Sequence, residues 1–267
     1  VWVAGSRSAI APLSSQGTLA KNAYLGFFFN ETFTEFDNAT DAIKHFDLNY
    51  IGLDMNVERG GNNQKKFILK PKGSNYSSFE LRHASSGIQT TAPLIAMMNY
   101  YAQAFDFKLA QKRSIIDLLF EKNLTTQYRP EMELTDMPKY VHIHIEEPEL
   151  SLDPTSQIQM LNEIIRLAFY SKVDSREIGL VLATHSPYII NSLNLLMKAH
   201  DCKTDIDGAH VGYDDLSVYQ ILSGGVADLK VKNIHYVNTD RLSEDINNIY
   251  DKYQELKQLQ NEESLGK

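Results

Sequence analysis

The most regular pattern of apolar and polar positions lies in the second half of the chain. Tyr140 to Ile145 predicts a strand, and Ile178 to Ala183 is a short apolar run of the kind that is buried in a parallel sheet. Between them, Asp153 and Pro154 predict a helix start, as a capping residue followed by a first-turn proline. The apolar residues that follow this start share one helical face: Ile158, Leu161, Ile165 and Ala168. Strand, helix and strand at this spacing predict a βαβ unit.

The pattern before residue 84 is mixed. The stretch from Asn30 to Asp47 alternates acidic and aromatic residues and predicts a helix over part of its length. Lys65 to Lys72 predicts a strand with three lysines on one face, Lys66, Lys70 and Lys72. We interpret this face as the solvated side of a hairpin, with a basic contact surface as the alternative. Residues 91–105 predict an apolar and aromatic helix in which Pro93 belongs to the first turn.

The last part of the chain predicts a strand from Val218 to Leu222 and an amphipathic helix over residues 243–262. One side of this helix carries Ile246, Ile249, Tyr253 and Leu256. We expect this side to pack on its own domain, with an outside partner as the alternative. The patterns divide the chain into a mixed arm or intermediate segment (residues 1–83), a motif-bearing part (84–240) and a C-terminal helix (241–267).

Composition narrows the class of protein. The chain has 267 residues, of which 43% are apolar and 22% charged, as in ordinary globular proteins. Its net charge of −8 excludes a protein that coats nucleic acid by bulk electrostatics and leaves a local basic patch as the alternative. The single cysteine, Cys202, excludes an internal disulfide and a thiol-based metal site and fits a reducing cytoplasm.

The chain shows no sign of a membrane segment or a leader. It contains no run of about 18 apolar residues that could span a bilayer. It opens on Val1-Trp2-Val3 without an initiator Met, in what reads as a strand. We therefore expect a cytoplasmic protein without a membrane partner and a chain cut from something longer.

The strand at Tyr140 ends in two adjacent carboxylates, Glu146 and Glu147. Ligands of α/β proteins bind at the carboxyl edge of the sheet, where such a pair would lie. Nucleotide hydrolysis needs two acids there, one to help hold Mg²⁺ and one to polarise the attacking water. On its own, a pair of Glu residues is more often a pair of exposed loop charges.

The next apolar strand ends in Thr184-His185-Ser186, and a third segment, Ser85-Ser86-Gly87, leads into a helix. A neutral imidazole and hydroxyls at a sheet edge can donate hydrogen bonds to a phosphate or position a water. Free N–H groups at a helix N-terminus can hold an anion such as a γ-phosphate. Taken alone, the histidine reads as a structural residue and the serines as ordinary helix caps.

Together, in this order, the segments resemble the ABC-type ATPase superfamily, in particular its branch of standalone bacterial AAA-type ATPases related to the OLD and RecF-like proteins. Ser85-Ser-Gly-Ile-Gln89 resembles the signature motif, and the Thr-Ala-Pro-Leu94 after it is typical of that branch. Ile145 to Pro154 resembles the Walker B strand running into the D-loop, and Ala183 to Pro187 the switch-histidine motif. Ala4 to Ser8 is similar to a Pro-Ala-Gly-Arg-Ser segment of the branch, though one residue longer.

The resemblance implies an α/β fold, the C-terminal part of a P-loop NTPase (ABC-type) head, with a parallel sheet, flanking helices and a mixed N-terminal segment. Glu146 matches the Mg²⁺-associated acid, where the superfamily more often has Asp. Glu147 matches the catalytic base and His185 the γ-phosphate sensor. The ATP of a partner subunit would be contacted by the signature residues Ser85, Ser86, Gly87 and Gln89. Asp153 would lie at the dimer seam.

A phosphate loop, G-x-x-x-x-G-K-[ST], is absent from the sequence. The only Gly-Lys pair is Gly266-Lys267, where position 261 is Asn and no hydroxyl residue follows. In the ATPases that this chain resembles, the loop lies near the N-terminus. We therefore expect an N-terminal Walker A half that is missing from this chain and acts as its partner. The chain alone should then be inactive.

The leading hypothesis is a nucleotide-driven switch that hydrolyses ATP with Mg²⁺ and dimerises head to tail around two nucleotides. The resemblance also implies a role in phage defence or DNA maintenance, with a nuclease or nucleic-acid partner. A non-catalytic interaction or regulatory module with a decayed ATPase fold is the alternative. A metallohydrolase is a third reading, because His142, His144 and Glu146 share one strand face at ligand spacing.

Overall fold

The structure is a computed structural model that describes residues 1–14, 26–60, 64–73, 76–123 and 138–265. The chain forms two compact units, Val1–Thr184 and His185–Lys267, and each is described by itself. The segments predicted from the motifs, with boundaries at 83 and 240, divide the chain differently and stay a prediction.

The first unit contains a three-stranded parallel sheet. Its order is β1 (Trp2–Val3), β6 (Tyr140–Glu146) and β7 (Glu177–Ala183). Strands β6 and β7 pair over their whole length, from Tyr140 opposite Glu177 to Glu146 opposite Ala183. The predicted parallel sheet and βαβ unit are confirmed.

The helix between β6 and β7 is α5 (Pro154–Ile165), and it begins where the sequence predicts. The Asp153 carboxylate accepts hydrogen bonds from the backbone N–H groups of Thr155 and Ser156, at 3.0 and 3.2 Å. A π-helical turn, Arg166–Tyr170, continues the helix. The predicted apolar face is buried at Leu161, Ile165 and Ala168, whereas Ile158 is only half-buried.

Strand β7 is more exposed than its apolar sequence predicts. It pairs with β6 on one side, and among the described residues no strand pairs with its other side. Ile178 is buried, but Ala183 is exposed and 43% of Val181 is exposed. The prediction of a buried strand is therefore wrong for this face, because β7 lies at an edge of the sheet and only its other face packs against the core.

The other helices of this unit are α1 (Ile10–Ser14), α2 (Phe27–Ala42), α3 (Ser86–Asn99) and α4 (Phe107–Glu121). Helix α3 contacts both α2 and α5 and is buried on most sides. It begins at Ser86 and passes into a π-helical turn, Tyr100–Ala104. The predicted start at residue 91 is wrong, so Pro93 lies in the helix interior. Burial of its neighbours Leu94 to Met98 offsets the missing N–H of the proline.

A second sheet is antiparallel, in the order β2 (His45–Leu48), β3 (Leu53–Arg59), β4 (Lys65–Pro71) and β5 (Phe79–Glu80). The exposed lysines of β4 lie opposite acids of the neighbouring strand β3. Lys66 lies opposite Glu58, and Lys70 lies opposite Asp54. Beyond the strand, Lys72 pairs with Asp47 and, at 3.4 Å, with Asp54. The hairpin interpretation is confirmed, and the acids beside these lysines disfavour a basic contact surface.

The second unit contains α6 (Pro187–Asp201), a hairpin of β8 (Tyr219–Leu222) and β9 (Gly225–Asp228), a short pair of β10 (Lys230–Val231) and β11 (Tyr236–Val237), and α7 (Asp240–Leu265). The predicted strand and C-terminal helix are confirmed. The apolar stripe of α7 does not pack on its own unit, since Ile249, Tyr253 and Leu256 are 59–70% exposed. The side chain of Ile246 is outside the described part. Within the described residues, no helix is both long enough and apolar enough to cross a membrane.

Candidate functional site

The two adjacent carboxylates lie where β6 ends. Glu146 is the last residue of the strand, and the backbone N–H of Glu147 donates to the carbonyl of Ala183 at the end of β7, at 2.8 Å. Both Glu residues are half-buried. The backbone of Glu147 is left-handed, with φ of +43°, and Ser151 has φ of +62°. Left-handed backbone at a residue other than glycine is uncommon and marks a turn held by its surroundings.

The residues from Glu147 to Leu152, which we call the acidic turn, fold back on themselves. The N–H of Leu150 donates to the carbonyl of Glu147 and that of Leu152 to the carbonyl of Glu149, both at 3.0 Å. The turn then passes directly into Asp153, the cap of α5. It therefore returns the chain to a helix within a few residues of the strand end.

Gly5, two residues after β1, lies next to the carboxylates of both Glu146 and Glu147. Its N–H donates to Oε2 of Glu146 at 3.1 Å. A Cβ on Gly5 would lie 3.6 Å from Oε2 of Glu147 and 3.9 Å from Oε2 of Glu146. The two carboxylates therefore converge over one small residue, with one oxygen of Glu146 already hydrogen-bonded.

Arg7 stabilises the acidic turn through hydrogen bonds to its backbone, and the sequence patterns predicted no role for this residue. It is fully buried, and its donors reach five backbone carbonyls, those of Ala4, Thr90, Glu146, Glu147 and Pro148. Burial lowers the pKa of Arg7 to about 10, against the opposing field of Glu149, Glu147 and Glu146. The only signal for it was its place in the segment Ala4 to Ser8, which the resemblance had singled out.

The donor set suits Mg²⁺, which binds to one or two protein carboxylates and takes its other ligands from water and substrate phosphates. Glu146 and Glu147 supply two such carboxylates side by side. The His142, His144 and Glu146 triad fits less well. His142 and His144 lie edge to face at 4.9 Å, but Trp2 stacks on His144 and Glu146 turns to Gly5.

Burial also lowers the pKa of His144. Across the part of the chain that the structure describes, no three His, Cys, Asp or Glu side chains form a metal-binding group. The stacking of Trp2 on His144 and the hydrogen bond from Gly5 to Glu146 therefore disfavour the metallohydrolase reading.

The signature-like segment forms the start of α3. Ser85 is the N-cap, and its Oγ accepts from the N–H of Ile88 at 3.5 Å. Ser85 and Ser86 are exposed. The amide nitrogen of Gln89 donates to the carbonyls of Arg82 and Ala84, at 3.0 and 2.9 Å, so it shapes the loop before the helix.

Gly87 brings this segment against the acidic turn. It is buried, and a Cβ at this position would lie 2.7 Å from the carbonyl oxygen of Ser151 and 2.9 Å from Cδ2 of Leu152. Only a glycine allows this approach. The helix N-terminus and the acidic turn, which the sequence treats as separate motifs, are therefore in direct contact.

The remaining predicted residues lie at helix starts. Asp153 is exposed, and hydrogen bonds from Ser156 and Thr155 hold its pKa below the usual range. His185 is exposed and begins the second unit, next to Ser186, which caps α6. The first unit contains all the other predicted site residues. The Gly266-Lys267 pair lies outside the described residues.

Comparison with known proteins adds no family. No protein-family model matches the chain, and no curated protein matches it either.

Proposed function

We propose that this chain is the C-terminal part of an ABC-type ATPase head. The observation that carries the proposal is the contact of Gly87 with Ser151, which joins the signature-like helix start to the acidic turn that follows Glu146. The contact holds a helix N-terminus beside two convergent carboxylates at the carboxyl edge of a parallel sheet. The carboxylates suit Mg²⁺ and a helix N-terminus suits a phosphate, and in this proposal the two elements serve different nucleotides.

In this proposal Glu146 helps to hold Mg²⁺ and Glu147 accepts the proton of the attacking water. Mg²⁺ neutralises charge on the phosphates when it is bound. His185 senses the γ-phosphate. Ser85, Ser86 and Gly87 serve the ATP of a partner subunit in a head-to-tail dimer, with Asp153 at the seam. Gln89 supports them by fixing the loop before α3.

The phosphate-binding half packs, in this proposal, on the open side of the parallel sheet. Parallel sheets are normally covered on both faces. Here Val141, Ile143 and Ile145 are buried on one face, whereas Tyr140 and Val181 on the other are 51% and 43% exposed. No strand of the described ranges pairs with the other edge of β7, so a further strand can be added there. The open face and edge support a missing Walker A half that completes the sheet.

A non-catalytic interaction module is the second candidate. The exposed apolar stripe of α7 favours it, because stripes of this kind pack on a partner helix or surface. The two candidates differ in one measurable property, since only the ATPase requires nucleotide hydrolysis.

The test compares the 267-residue chain with the full-length protein. The chain alone lacks the loop amides and lysine that hold phosphates, so calorimetric titration with MgATP should show no binding. The full-length protein should hydrolyse ATP and lose this activity when Mg²⁺ is chelated. Competitive binding of ATP and ADP to the chain alone, or a full-length protein without hydrolysis, would contradict the proposal.

A further inference from the structure

A buried arginine spans the two motifs of the site. Arg7 lies in a short 3-10 helix, Gly5–Ala9, that follows β1 directly. Its Nη1 donates to the carbonyl of Glu146 and its Nη2 to the carbonyl of Glu147, both at 2.7 Å. Nη2 also donates to Pro148 at 3.2 Å, and Nε donates to Thr90 in α3 at 3.2 Å. One guanidinium thus contacts three consecutive carbonyls of the strand end and one carbonyl of the neighbouring helix.

We propose that Arg7 is a positioning residue that sets the backbone of Glu147 and fixes the acidic turn relative to the start of α3. The kinetic part of its test rests on the proposed function. The structural part does not.

Packing alone does not explain an arginine here. Burying a charged group is unfavourable in free energy, and burial lowers the pKa of the Arg7 guanidinium. An apolar side chain of similar volume would fill the space at a lower cost in free energy. What an apolar residue cannot supply is a rigid fork of N–H donors directed at several carbonyls at once.

The backbone that Arg7 holds is one that Glu does not prefer. Glu147 is left-handed, with φ of +43°. In this conformation the carbonyls of Glu146, Glu147 and Pro148 point to the same side and meet the guanidinium. Without these donors the turn can relax to a right-handed backbone, which would redirect the Glu147 side chain away from Gly5.

The link to Thr90 adds a second constraint. Thr90 lies one helical turn after Ser86, and its hydroxyl donates to the Ser86 carbonyl at 2.7 Å. Arg7 therefore ties the acid that serves one nucleotide to the helix start that serves the partner's nucleotide. A lysine presents a single ammonium, which cannot reach the carbonyls of residues 146–148 and the carbonyl of Thr90 in the same geometry.

The experiment uses the full-length protein and the variants Arg7→Lys and Arg7→Met. Arg176→Met is the matched control. Arg176 is also buried and donates to a backbone carbonyl, that of Tyr101 at 2.8 Å, but it lies at the opposite end of β7 from Ala183. All assays are run well below the unfolding temperature of each variant.

We expect kcat for ATP to fall about 10²-fold in Arg7→Met and at least about 10-fold in Arg7→Lys, because a displaced reacting group impairs the chemical step. KM should change little, as for an interaction that matters in the transition state. Arg176→Met should keep its kcat within about twofold, even where it loses thermal stability.

Amide hydrogen exchange tests the same proposal without a measurement of ATP hydrolysis. Exchange should accelerate in residues 146–152 and 86–90 of both Arg7 variants and stay unchanged there in Arg176→Met. A folded Arg7→Lys protein with normal kcat and normal exchange in both segments would overturn the proposal. If exchange is faster in the Arg7 variants but the wild-type protein does not hydrolyse ATP, the positioning role stands and the proposed function is refuted.

Discussion

Gly87 lies so close to Ser151 that a single added carbon would be 2.7 Å from the Ser151 carbonyl oxygen. The oxygen belongs to the backbone of a turn that is itself anchored to β6 and α5, so it has little freedom to withdraw. This relationship places the exposed N-terminus of α3 and the two carboxylates at one end of the parallel sheet.

Gly87→Ala should therefore lower the stability of the first unit. Overpacking of this kind costs about 1–3 kcal/mol. Urea unfolding can be followed by the fluorescence of Trp2, the only tryptophan, which packs against Phe28 and His144 in that unit. Gly60→Ala is the control in the same unit, because a Cβ there would come no closer than 3.4 Å to a neighbour, the flexible end of the Lys66 side chain. Equal stability of the two variants would show that the contact is looser than the structure indicates.

The left-handed backbone of Glu147 predicts an inverted order of stability at this position. Glycine adopts positive φ without steric cost, whereas other residues lose about 1–2 kcal/mol. Glu147→Gly should therefore be more stable than Glu147→Ala by about 1 kcal/mol, although both lack the carboxylate.

Glu149 is not among the residues with positive φ and serves as the comparison. There the glycine variant should be the less stable one, by about 0.5–1 kcal/mol. The same order at both positions, measured by chemical unfolding, would argue against a left-handed Glu147.

Local patterns in the sequence predicted much of the first unit. The strands at Tyr140 and Ile178 and the helix start at Asp153 were correct, because periodicity and capping are properties of neighbouring residues. Pro93 was placed in a first turn by the rule for prolines, and the buried surroundings of α3 overrode that rule. Edge exposure of β7 was missed because it depends on which strands pair, not on the strand itself.

The support of the acidic turn could not be predicted in the same way. Arg7 and Glu146 are 139 positions apart, and nothing in a local pattern indicates that one arginine contacts five carbonyls. An arginine is ordinarily read as a surface charge. Gly87 and Ser151 are likewise distant in sequence, so the glycine was assigned to phosphate contact and its packing role was not foreseen.

The proposed head-to-tail dimer predicts complementation between two inactive proteins. In the full-length protein, Ser86→Arg spoils the signature side of a site and Glu147→Gln the acid side. A random mixture contains about half hybrids, and each hybrid has one intact site and one site carrying both changes. ATP hydrolysis should therefore recover to about a quarter of the wild-type rate if the two sites act independently.

Subunit exchange must be demonstrated separately, by mass spectrometry of differently labelled subunits. Each variant mixed with itself is the control and should stay inactive. Proven exchange without recovery, with sites shown to act independently, would mean that Ser85, Ser86 and Gly87 form only a helix cap.

The most direct measurement of the central claim is the rate of ATP hydrolysis by full-length Glu147→Gln beside Glu149→Gln. Glutamine keeps the size and hydrogen bonding of Glu147 but cannot accept a proton. Loss of a general base should lower kcat by about 10²-fold or more while ATP binding persists. Glu149→Gln, in the same turn, should stay within a few-fold of the wild type. A Glu147→Gln protein that hydrolyses ATP at half the normal rate would contradict the account.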